Sequence, residues 1–64
     1  MKEIKFKIID ILEELNQNKD TIIGVIAFLQ KEEDALEMLN WLNENKNKKL
    51  TQHQIIDKLD LITM

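Results

Sequence analysis

The chain predicts an all-α fold, a compact four-helix bundle or an orthogonal four-helix array, formed as a single small helical domain over residues 1–64. Three observations predict it. Four segments carry apolar residues at the spacings of three and four that line one face of a helix. The polar breaks between them hold residues that start helices, most clearly the pair Thr51 and Gln54. An apolar share of 44% in 64 residues suffices for one core and is too high for a disordered chain.

In the first segment, Ile4, Ile8, Ile11, Leu12 and Leu15 fall within about 100° of one another on a helical wheel. A helix near 2–17 follows. Ile4, Phe6 and Ile8 alternating with Lys5 and Lys7 also read as a strand, but that alternation breaks at Ile8-Ile9. Phe6 points off the main stripe, so it either packs against a neighbour wrapped around this helix, the favoured reading, or sits on an outer surface.

Asn16-Gln17-Asn18-Lys19 is a polar break, and Asp20 has the carboxylate of an N-cap. The second helix is expected near 20–30. Ile22, Ile23, Val25, Ile26, Phe28 and Leu29 leave it almost no polar face, which predicts burial on most sides at the centre of the core. Gly24 either permits a close helix crossing or weakens the helix by about 1 kcal/mol.

Glu32, Glu33 and Asp34 suit the positive end of a third helix near 33–44. Ala35, Met38, Leu39 and Leu42 share its inner face, which Leu36 and Trp41 widen from opposite sides. Asn43 through Lys49 carries no apolar residue and reads as a fraying end and a surface loop. The fourth helix, near 52–61, begins with the strongest local signal in the chain. Thr51 and Gln54 form a capping box, and Leu50 is placed to meet Ile55 as a hydrophobic staple. Ile55, Ile56, Leu59 and Ile62 supply its buried side, with Leu61 extending it.

Composition then narrows the function classes. There is no cysteine, serine, tyrosine, proline or arginine, and the net charge is −3. Disulfides, thiolate metal sites and thiol nucleophiles are excluded together. Without arginine the bidentate fork used on phosphates and guanine edges is missing, so nucleic acid is not the expected partner. The longest apolar run, Ile22 to Leu29, falls well short of the roughly 20 residues that span a bilayer. Met1 to Lys5 is not the apolar stretch of a secretory signal, so a cytoplasmic setting is expected.

No catalytic, cofactor or metal site is expected. His53 is the one histidine and lies on a polar first turn, where it reads as a solvent-exposed side chain. Glu32, Glu33, Asp34 and Glu37 lack the alternating ligands and turn glycine of a calcium loop and read as a solvated helix start. Lys46, Lys48 and Lys49 lie beside a helix N-terminus, a reasonable design for holding an anion, though loop lysines more often serve solubility.

Leu50-Thr51-Gln52 through Leu59-Asp60-Leu61-Ile62-Thr63 resembles the first helix and turn of a helix-turn-helix unit, which implies a nucleic-acid-associated regulator as the alternative function. The resemblance covers less than a quarter of the chain. It departs from the motif at Ile56, where a small residue is usual, and at Asp60, where glycine is usual. Met64 stands where the recognition helix would begin.

The remaining feature is a surplus of large apolar groups. If the second helix takes the centre, three others cannot cover Phe6, Ile9, Phe28, Leu36, Trp41 and Leu61 together. Exposed patches of this kind mark self-association or partner binding. The expected function is therefore a non-catalytic protein–protein interaction or small regulatory module, self-associating as a homodimer or meeting a protein partner. Trp41, Phe6 and Leu36 are its candidate partner-binding residues, Trp41 foremost because tryptophan is enriched at binding hot spots, although Trp41 reads more readily as a peripheral core residue that closes the bundle.

Overall fold

The computed structural model describes all 64 residues. Four helices follow one another with no strand: α1 (Lys2–Glu14), α2 (Lys19–Phe28), α3 (Glu32–Asn45) and α4 (Gln52–Thr63). The all-α reading holds. α2 ends at Phe28, two residues before the expected 30, and α4 at Thr63, two residues past the expected 61. The shifts at the end of α1, the start of α2 and the end of α3 have local causes.

α1 stops at Glu14, short of residue 17, because the chain closes there in a Schellman motif. Asn16 takes a left-handed φ of 61°, and its N–H donates to the Glu13 carbonyl at 3.0 Å while the Gln17 N–H donates to the Leu12 carbonyl at 3.0 Å. Asparagine tolerates that conformation better than most residues with a side chain. The turn is tight enough for α2 to begin at once, so Asn18 is the N-cap and Asp20 is not. The Asn18 side chain accepts the Thr21 N–H at 2.8 Å, and Asp20 sits in the first turn, where its charge meets the helix dipole.

α3 extends to Asn45, whose side-chain amide donates to the Trp41 carbonyl at 2.8 Å and covers one of the last orphan acceptors. At the head of α4 the expected capping box is present. The Thr51 hydroxyl accepts the Gln54 N–H at 3.2 Å, and the Gln54 side chain accepts the Thr51 N–H at 2.8 Å. Leu50 and Ile55, the two ends of the expected staple, both join the core cluster. Thr51→Ala should lower stability by about 1 kcal/mol, visible as a fall of about 4–8 °C in the thermal midpoint, whereas Thr51→Ser, which keeps the capping hydroxyl, should retain most of the stability.

The helices form a ring of four. α1 packs on α2 and α3, α4 packs on the same two, and neither diagonal pair comes close. Two contacts fix the ends. The Gln17 side-chain amide donates to the Leu50 carbonyl at 3.4 Å, joining the α1–α2 turn to the α3–α4 loop. At the opposite end, where α1 and α3 begin, the Met1 amine lies 3.9 Å from the Glu32 carboxylate.

The core lies inside this ring. Ile8, Ile11 and Leu12 of α1 meet Ala35, Met38, Leu39 and Leu42 of α3, with Ile55 and Leu59 of α4 and only Val25 and Leu29 from the region of α2. The expectation that the second helix occupies the centre is therefore overturned. In a ring, each helix has two neighbours and a side facing water, and 64 residues supply too few helices to wrap a fifth position. α2 buries one seam, Thr21, Val25 and Leu29, each four residues from the last. Its remaining apolar residues are half-buried or outside.

Thr21 is the one polar residue in that seam, at 4% exposure, and its hydroxyl has no hydrogen-bond partner. A buried unpaired hydroxyl carries a desolvation penalty that an isosteric methyl does not. Thr21→Val should raise stability by about 1 kcal/mol, read as a higher urea midpoint at unchanged slope. Gly24 supports no close crossing, since a Cβ placed there would meet nothing within 4 Å.

Candidate interaction surface

The ionisable groups that meet on this molecule do so at its surface. His53 and Asp57, one turn apart on α4, approach to 3.3 Å, but both side chains stand in solvent. No three histidine or carboxylate side chains gather at metal-ligating range, Glu32, Glu33, Asp34 and Glu37 included. Lys46, Lys48 and Lys49 rim an open depression of about 360 Å³ that also holds Glu14 and Leu15. The nearest helix N-terminus there is that of α4, whose capping box engages the Thr51 and Gln54 N–H groups.

The helix-turn-helix resemblance finds no turn to rest on. α4 runs without interruption through Asp60 and Leu61 to Thr63, and the Thr63 hydroxyl donates to the Leu59 carbonyl at 2.8 Å inside that last turn. Leu61 does not extend the buried side. It follows Leu59 by two residues, more than half a helical turn, and is 68% exposed.

The three residues singled out for partner binding lie apart. Trp41 is half-buried and packs against the core from α3, closing one flank of its inner stripe. Leu36 is exposed on the other flank. Just beyond it, between α1 and α3, lies a depression of about 200 Å³ lined by Lys7, Asp10, Ile11, Leu39 and Asn43. Phe6 is 54% exposed on the side of α1 turned from the core, not packed beneath a wrapping neighbour. A ring of four leaves α1 no third neighbour to reach it.

What the fold does assemble is an apolar face on α2. Ile23 is 60% and Phe28 66% exposed, and Ala27 is exposed between them. Gly24 adjoins them on the helix surface, three residues before Ala27 and four before Phe28. Lys19 and Asp20 bound this face at its start, and Gln30, Lys31 and Glu32 follow its end, all exposed. Phe28 belongs to the surplus apolar set visible in the sequence. Ile23 was hidden by the apolar run around it, and the seam of Thr21, Val25 and Leu29 is the spacing that separates it from the core.

Comparison with family models, with curated proteins and with solved structures finds no match to this chain.

Proposed function

We propose that this chain is a non-catalytic protein–protein interaction module that engages its partner through the outward face of α2. One observation carries the reading: the most apolar segment of the sequence presents Ile23 and Phe28 to water. A soluble domain that holds a contiguous apolar patch outside its core gains from covering it, and aromatic side chains supply much of the energy when such patches are covered. The small side chains of Gly24 and Ala27 flatten the surface between the two large ones.

Two further observations support the same class. The depressions on the surface are open and lined mostly by polar side chains. No helix is long and apolar enough to cross a membrane, and a cytoplasmic setting is proposed with the function because the sequence has no cysteine to crosslink.

A photoreactive amino acid placed at Phe28, with Glu44 on α3 as the exposed control, tests this in cells that make the protein. Adducts from position 28 and none from position 44 are expected. No adduct from position 28 would reject the interaction reading, whatever the adduct's identity would otherwise have been.

A further inference from the structure

We draw no further inference here: the strongest candidate, the exposed apolar surface of α2 formed by Ile23, Ala27 and Phe28, belongs to the site already described, and nothing in the structure shows what covers it.

Discussion

Replacing Leu42 by alanine should lower the free energy of unfolding by about 2–5 kcal/mol, the range for removing a fully buried leucine side chain from a packed core. Leu42 has no exposure and sits on the inner face of α3, the helix that packs on both α1 and α4. Its truncation opens a cavity at the junction of three helices. A domain of this size has a stability of about 3–10 kcal/mol, so the variant should be partly unfolded at room temperature or melt far below the parent. Urea denaturation followed by Trp41 fluorescence reads this directly, since Trp41 is on the same helix and packs on the same core. Phe6→Ala removes a larger side chain from an exposed site and should change stability by no more than about 0.5 kcal/mol. Equal losses at the two sites would mean that the core does not lie where α1 and α3 meet.

The second large effect separates two neighbours on α2. Val25→Asp should unfold the domain, because Val25 has no exposure and an aspartate there would bury an unpaired carboxylate. Phe28→Asp should leave the helical circular dichroism and the urea midpoint close to those of the parent, since its side chain already faces water. Both residues are large and apolar, and they lie three positions apart in one continuous apolar run. Only the ring geometry distinguishes them. If Phe28→Asp also abolished folding, α2 would be buried on that side and the proposed face would not exist.

The four helices were legible because their signals are local. A capping box joins residues three apart, and an amphipathic stripe such as Ile8, Ile11 and Leu12 repeats within two turns, so neither depends on what the rest of the chain does. The one misplaced cap shows where local signals compete. Asn18 and Asp20 are both competent N-caps, and the choice between them fell to Asn16, whose left-handed turn brought the chain back early.

Burial was less legible, because it depends on the number of neighbours and not on the residue. An apolar helix with neighbours on two sides exposes the third, and nothing in Ile22 to Leu29 records how many helices surround it. The same geometry left Phe6 and Leu61 outside, while Trp41 was drawn in far enough to serve the core. The surplus of apolar groups was visible in the sequence, but its concentration on α2 required the fold.

The most direct test of the account is the accessibility of isoleucine methyl groups to a soluble paramagnetic relaxation agent, measured by NMR on the dilute, purified chain. Isoleucines report on α1, α2 and α4 within one spectrum. The Ile23 methyls should relax strongly, while those of Ile8 and Ile55 stay protected. Protection of Ile23 equal to that of Ile8 would contradict the ring of four helices, and with it the exposed face on which the proposed function rests.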